Sequence, residues 1–423
     1  MKVLVRGATV IAPGVSMARP MDVLCEDGKV RAIEPLLPSG DAQIIQADGL
    51  YCTAGLVDMH VHLRDPGQTY KEDIFSGCEA AAAGGVTSVA CMPNTTPAVD
   101  SPAVLREILE KAQTAKARVY PVAAVTAGLQ GEELNNFMLL KEAGAAAVSD
   151  DGRPVPTAGL MQRAMQLAAE AGLPILSHSE ELSLVRGGIM NAGVVAQELG
   201  VRGICAAAEE VAVAREVALA AATGCPVHIC HVSTAGSVAL IRDARRRGVR
   251  VTAETAPHYF ALTEECLRSR DADYRMNPPL RTEQDVQAVI EGLRDGTLTV
   301  IATDHAPHSA EDKADFLTAP NGVVGLETSL AAGITYLVKP GYLTLRRLLE
   351  LMAAEPARIL GIPGGVLEVG GPADLMVFDP HEEWTVRPER LHSKSKNSAF
   401  KGMALTGRVK ATVCRGDVVY RDV

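Results

Sequence analysis

VDMHVHLRDPG, residues 57–67, sets two histidines two positions apart, His60 and His62, at the end of an apolar run that starts at Tyr51. Alternate residues of a strand share a face. Two imidazoles leaving a buried strand on one face suit a metal ion, although an isolated pair of this kind is equally compatible with polar residues turning out to solvent. The same pattern has to recur along the chain for the metal reading to stand.

It recurs. Apolar β-type runs alternate with Ala-, Leu-, Glu- and Arg-rich helical stretches such as 101–116, 157–171 and 206–223. The runs are LYCTAGLVDMH, GVTSVACMP, ARVYPVAAVT, GAAAVSDD, PILSHSE, PVHICHVS, VRVTAET and LTVIATDHAPH. Eight strand–helix units predict an α/β fold of the (β/α)8 TIM-barrel type. Residues 1–52 and 364–423 read instead as short strands with Pro- and Gly-bearing turns, including the hairpin-forming Asp-Gly of EDGK. Each is too small for a core of its own. The expectation is one small β-sandwich domain built from both termini, 1–52 and 364–423, beside a catalytic barrel over 53–363.

Composition narrows the function. The 423 residues are 47% hydrophobic and 22% charged, as in a globular protein with a large core. A formal net charge of −10 argues against a basic nucleic-acid-binding surface. No apolar stretch reaches the length of a membrane span, and the N-terminus alternates like a strand rather than a signal peptide. The nine cysteines lack zinc-ribbon spacing, and their odd number favours reduced thiols and a cytoplasmic location. None has the local signature of a nucleophile, and Cys230 beside His231 reads as packing.

In a barrel the C-terminal strand ends gather at one mouth, where the chemistry sits. His60 and His62 end run one, Asp150 and Asp151 run four, His178 run five, His231 run six and Asp304 run eight. Imidazoles with a few carboxylates and no clustered thiols suit zinc, with Mn, Co or Fe as alternatives. The set is too large for one tetrahedral ion and fits two ions about 3.5–4 Å apart. His60, His62 and Asp304 are expected to hold one, His178 and His231 the other, with an acid of run four between them. Strand parity does not choose between Asp150 and Asp151. His228, three before His231, is read as facing away into packing, and His305 as pointing into secondary hydrogen bonds. His258 is undecided.

The motifs DMHVHLRDPG (58–67), MPNT (92–95), SDDG (149–152), SHSE (177–180), CHVST (230–234), MNPPLR (276–281), ATDHAPH (302–308), GLET (325–328) and SKSKNSAFKG (393–402) make the chain resemble, over nearly its whole length, class I dihydroorotases of the amidohydrolase superfamily. That resemblance implies zinc as cofactor, bridged by Asp151 where related hydantoinases use a carbamylated lysine. It implies reversible hydrolysis of dihydroorotate to N-carbamoyl-L-aspartate in pyrimidine biosynthesis, by a metal-bridging hydroxide with Asp304 as base and then acid. It assigns Arg64, Asn94 and His308 to the substrate carboxylate and Asn277 to the ring. It implies that the main chain near Asn321 and Gly322 closes over that ring. Residues 309–320, SAEDKADFLTAP, are either a mobile lid or an ordinary surface loop. The resemblance further implies a small-molecule substrate, a homodimer and a possible association with aspartate transcarbamoylase. Another cyclic amidase (hydantoinase, dihydropyrimidinase or allantoinase) leaves Arg64 and Asn94 without a partner. A non-catalytic scaffold homologue does not need the six metal-ligand positions present here.

Overall fold

A computed structural model describes residues 2–15, 17 and 19–422. Eight short parallel strands form the centre: β1 (Leu56–Val61), β2 (Val86–Cys91), β3 (Arg118–Ala124), β4 (Ala147–Ser149), β5 (Leu176–Ser177), β6 (Val227–Ile229), β7 (Val251–Thr255) and β8 (Val300–Ile301). β1 to β4 pair in chain order, as do β5 to β8. Parallel bridges Val148–Ile175 and Val61–His305 join the two halves and close the ring. β1 and β2 are buried along their whole length, which is why they read as continuous apolar runs rather than alternating ones.

The helices between strands stand on local signals. Asp73 and Ser76 form a reciprocal capping box at the start of Ile74–Ala83. Thr157 caps Ala158–Ala171, which ends on left-handed Gly172. Thr282 and Asp285 repeat the capping box at Glu283–Arg294. The abundant alanine does what its small size allows: Ala80, Ala81 and Ala82 are fully buried against the barrel.

Both termini build the second body. One path of strands runs Asp417–Arg421, Ala404–Cys414, Leu375–Thr385, Tyr51–Ala54, Lys2–Val10, Met21–Glu26 and Lys29–Glu34, with Gln43–Gln46 beside Lys2–Val10. It encloses its own core, including Val3, Val5, Val23, Cys52, Leu375 and Val413. The architecture is a TIM-type barrel with a β-sandwich domain, as expected. The first run differs from its reading in one respect. It is two strands, not one: Tyr51–Ala54 pairs with Leu375–Phe378 in the terminal sheet, and only Leu56–Val61 enters the barrel. Gly55 is the join. A Cβ there would sit 2.2 Å from the Thr87 side chain, so the chain crosses between the two bodies where only glycine fits.

Asp374 ties the bodies together. Its buried carboxylate accepts from Arg118 Nε on β3 at 2.9 Å and from the Arg415 amide at 2.7 Å, and its carbonyl accepts from the Gly55 amide at 2.9 Å. Asp374 is buried while Arg118 is partly exposed, so the loss is chiefly that of charge-assisted hydrogen bonds. Asp374→Ala is therefore expected to lower unfolding free energy by about 2 kcal/mol, read as an earlier urea midpoint. An unchanged midpoint would show that the tie carries no stability.

Candidate active site

At the C-terminal mouth the structure brings His60, His62, Asp151, His178, His231 and Asp304 into contact, all buried. Asp151 is central. Its Oδ1 lies 3.4 Å from His60 Nε2, 3.5 Å from His178 Nδ1 and 3.7 Å from His231 Nε2, and its Oδ2 lies 3.5 Å from His62 Nε2. Asp304 Oδ1 is 3.1 Å from His62 Nε2 and 3.5 Å from His60 Nε2. The ring nitrogens His178 Nδ1 and His231 Nε2 meet at 2.8 Å.

Asp150 points elsewhere. It accepts from the Val125 and Thr126 amides at 2.7 and 3.0 Å and from the Thr126 hydroxyl at 2.5 Å. Its carboxylate is spent on the main chain after β3, which leaves Asp151 as the acid facing the imidazoles.

The cluster is under electrostatic tension. Burial opposes the charge on His60, and the carboxylates of Glu254, Asp151 and Asp304 outweigh it, so the imidazole is held well above its ordinary pKa. Burial opposes the charge on His178 too, and Asp151 and Glu180 lift its pKa to about 10. Burial likewise disfavours the charge on Asp151, but His60, His178 and His231 pull its pKa well below the ordinary carboxylate range. Three buried atoms nevertheless lack a hydrogen-bond partner: His60 Nε2, Asp151 Oδ1 and His231 Nδ1. Buried polar groups are ordinarily satisfied. Two of these orphans face one another across the cluster, and the groups His60–His62–Asp151 and Asp151–His178–His231 each have spacing that can hold a metal ion. Imidazole and carboxylate donors of this kind fit a divalent cation. Three residues of the site, Arg64, His231 and Asp304, hold positive φ angles of 59°, 36° and 49°. Such strain in non-glycine residues gathers where function fixes the backbone.

The expected substrate contacts fall around this cluster in different ways. Arg64 is buried, with Nε donating to the Pro307 carbonyl at 3.2 Å and Nη2 lying 3.4 Å from His308 Nε2. Its neighbour Asp65 pairs with Lys111 at 2.9 Å. Among the described residues no carboxylate lies within ion-pair distance of the Arg64 guanidinium. His308 Nε2 donates to the Asn321 carbonyl at 2.9 Å. Asn94 is engaged inside the cluster: its Oδ1 accepts from His62 Nδ1 at 2.8 Å and its Nδ2 donates to Asp151 at 3.3 Å. Asn277 Nδ2 donates to Glu180 at 3.1 Å, and its buried Oδ1 has no partner. Gly322, at φ 140°, leaves no room for a Cβ, which would lie 2.7 Å from Ala306. The segment 309–320 is tied down. Lys313 donates to the carbonyls of Ala272, Arg275 and Pro320, and Arg275 donates to that of Phe316 at 2.6 Å.

Four residues of this neighbourhood were not singled out from sequence. Asp58 accepts from the amides of His60 and Thr303, fixing the main chain beside two cluster members. Glu180 lies 3.5 Å from His178 Nε2. Asn397 accepts from the His308 amide at 3.1 Å and donates to the carbonyls of Ala306 and Gly322. Glu254 is the last residue but one of the seventh strand and meets His60. It stands at a strand end like the expected acids, and that position was its available signal. His258 is buried, with Nε2 unpartnered and its pKa lowered by burial to about 4. His305 turns away from the cluster, Nδ1 accepting from the Gly325 amide at 3.1 Å.

The chain is similar in sequence and fold to known proteins. A family model described as dihydro-orotase-like matches residues 50–237. A protein from Geotalea daltonii named dihydroorotase is 50% identical over 424 residues, covering all of both chains. One of the same name from Acetivibrio thermocellus is 49% identical and covers 99% of each. Among solved structures, the L-hydantoinase (dihydropyrimidinase) from Arthrobacter aurescens superposes with a TM-score of 0.88 at 28% identity, over 99% of this chain and 96% of the other. The dihydropyrimidinase from Brevibacillus agri gives 0.86 at 26%, over 100% and 95%. Half-identity along the whole length, together with the mouth cluster, places the chain in the dihydroorotase family of cyclic-amide hydrolases.

Proposed function

We propose that this chain interconverts (S)-dihydroorotate and N-carbamoyl-L-aspartate, the ring-closing step of pyrimidine synthesis run in either direction. The observation that carries this reading over a hydantoinase is Arg64. A buried guanidinium without an anion is costly, and burial lowers its pKa to about 10. A substrate carboxylate meets that need in a bidentate geometry. Hydantoin, dihydrouracil and allantoin carry none.

His60, His62 and Asp304 would hold one divalent cation, His178 and His231 a second, with Asp151 shared, and zinc suits this donor set. Bound there, such cations acidify a water and polarise the ring amide carbonyl. The remaining work belongs to the side chains. Asp304 takes a proton from the attacking water and passes it to the amide nitrogen as the carbon–nitrogen bond breaks, acting as base and then acid. Arg64 and His308 hold the substrate carboxylate. Burial and the nearby charges of Arg64 and Lys71 drive the His308 pKa down to about 2, so the imidazole is neutral, and its one proton, on Nε2 against the Asn321 carbonyl, would turn to the substrate carboxylate. Asn277 Oδ1 and the main chain at Asn321 and Gly322 meet the ring's polar edge. Asn94, whose oxygen accepts from His62 Nδ1, would add its amide to the hold on the substrate carboxylate. No helix among the described residues is long and apolar enough to cross a membrane. A cytoplasmic homodimer, and docking to aspartate transcarbamoylase, extend this reading on the strength of the resemblance.

Three outcomes follow. Asp151→Ala is expected to abolish uptake of divalent metal, whereas Asp150→Ala keeps the metal and melts earlier, as metal analysis and thermal melts will show; full metal content in Asp151→Ala would displace it from the centre. Asp304→Asn is expected to fold normally and lose at least about 100-fold in kcat, and near-normal turnover would remove its acid–base role. Arg64→Met is expected to raise KM for dihydroorotate by more than about tenfold while leaving any turnover of hydantoin unchanged. Equal effects on both substrates would mean that Arg64 does not read the carboxylate.

A further inference from the structure

His60 turns Nε2 to the cluster, and its other nitrogen is held from behind. Nδ1 lies 2.6 Å from Glu254 Oε1. Glu254 Oε2 lies 3.1 Å from His228 Nε2, and His228 Nδ1 lies 2.9 Å from Thr252 Oγ1. His60, Glu254 and His228 are all at most 1% exposed. The strands dictate this chain of contacts. Thr252 and Glu254 are two apart on β7 and share the face turned into the barrel. His228 on β6 is the cross-strand partner of Thr252.

Resting on the metal reading above, we propose that Glu254 is a positioning residue for the metal centre. It fixes His60 in the Nδ1–H tautomer and aims the Nε2 lone pair at the cluster, while His228 holds Glu254 in turn. A carboxylate only accepts, so His228 Nε2 and His60 Nδ1 both donate to Glu254, one to each oxygen. Charge points the same way. Two dications facing two carboxylates leave a positive excess in a dry interior. Glu254 supplies a further negative charge, one imidazole away from the ions. Carboxylates that grip the far nitrogen of a ligating histidine orient the ring and raise its basicity, and their loss typically costs about 10–100-fold in metal affinity.

Another occupant of this place is a metal ion itself, since His60, Cys230 and Glu254 also lie close enough to share one. Both carboxylate oxygens of Glu254 are already engaged, one by His60 Nδ1 and one by His228 Nε2. Burial also pushes the Cys230 thiol up, away from the thiolate a metal requires.

The test measures binding and tautomer rather than turnover. Zn2+ titrated into the metal-stripped full-length chain is expected to bind about 10–100-fold more weakly to Glu254→Gln than to wild type. The Co2+-loaded variant is expected to show an altered visible spectrum, and Glu254→Asp to recover part of the affinity. His228→Leu, which leaves His60 and Glu254 in place, is expected to weaken Zn2+ binding in the same direction. In the Zn2+-loaded wild type, nitrogen NMR of labelled histidine is expected to show His60 protonated at Nδ1 and metallated at Nε2, a readout that needs no variant to fold. A His60 metallated at Nδ1, or variants with wild-type Zn2+ affinity and Co2+ spectrum, would overturn the proposal while leaving the metal centre standing. Wild-type protein that takes up neither ion would overturn both.

Discussion

Six ionisable side chains buried in contact at one end of a barrel cannot all be satisfied by one another. The four imidazoles lie 3.4–3.7 Å from Asp151, too long for good hydrogen bonds, and three atoms of the cluster are left without a partner. In a low-dielectric interior such unpaired groups are costly. A divalent cation would resolve the arrangement, because it offers positive charge that every ligand can meet. The rest of the molecule can be understood as what it takes to hold this cluster in place.

The barrel does so by closing. The Val61–His305 bridge brings strand one against strand eight, and the His62 amide donates to the His305 carbonyl at 2.8 Å. His62 and Asp304 thus approach across the seam that completes the ring. Around them a second layer of polar groups removes freedom: Asp58 on the main chain of His60 and Thr303, Asn94 on His62, Glu254 on His60, and Asn397 between His308 and Gly322. The positive φ angles at Arg64, His231 and Asp304 show the backbone accepting strain for the sake of side-chain direction.

Much of this was legible in the chain itself. The alternation of apolar runs and helical stretches carried the barrel, because parallel strands are buried on both faces and announce themselves by composition. The cluster residues were legible because strand ends converge in this architecture, so position along each run stands in for position in space. Other features were not. The first run conceals two strands, since periodicity does not reveal which sheet a strand joins, and only the contact between Gly55 and Thr87 marks the crossing. Strand parity left Asp150 and Asp151 equivalent, and the bonds from Val125 and Thr126 separate them. Glu254 and Asn397 act through partners about 194 and 89 residues away in sequence, His60 and His308 respectively, and no local pattern encodes such a pairing.

Anomalous diffraction at the metal absorption edge, from crystals grown with dihydroorotate, addresses the whole arrangement at once. The account predicts two peaks sharing Asp151, with the ligand's carboxylate on Arg64. Peaks away from the six cluster residues, or a ligand whose carboxylate turns from Arg64 into solvent, would contradict it.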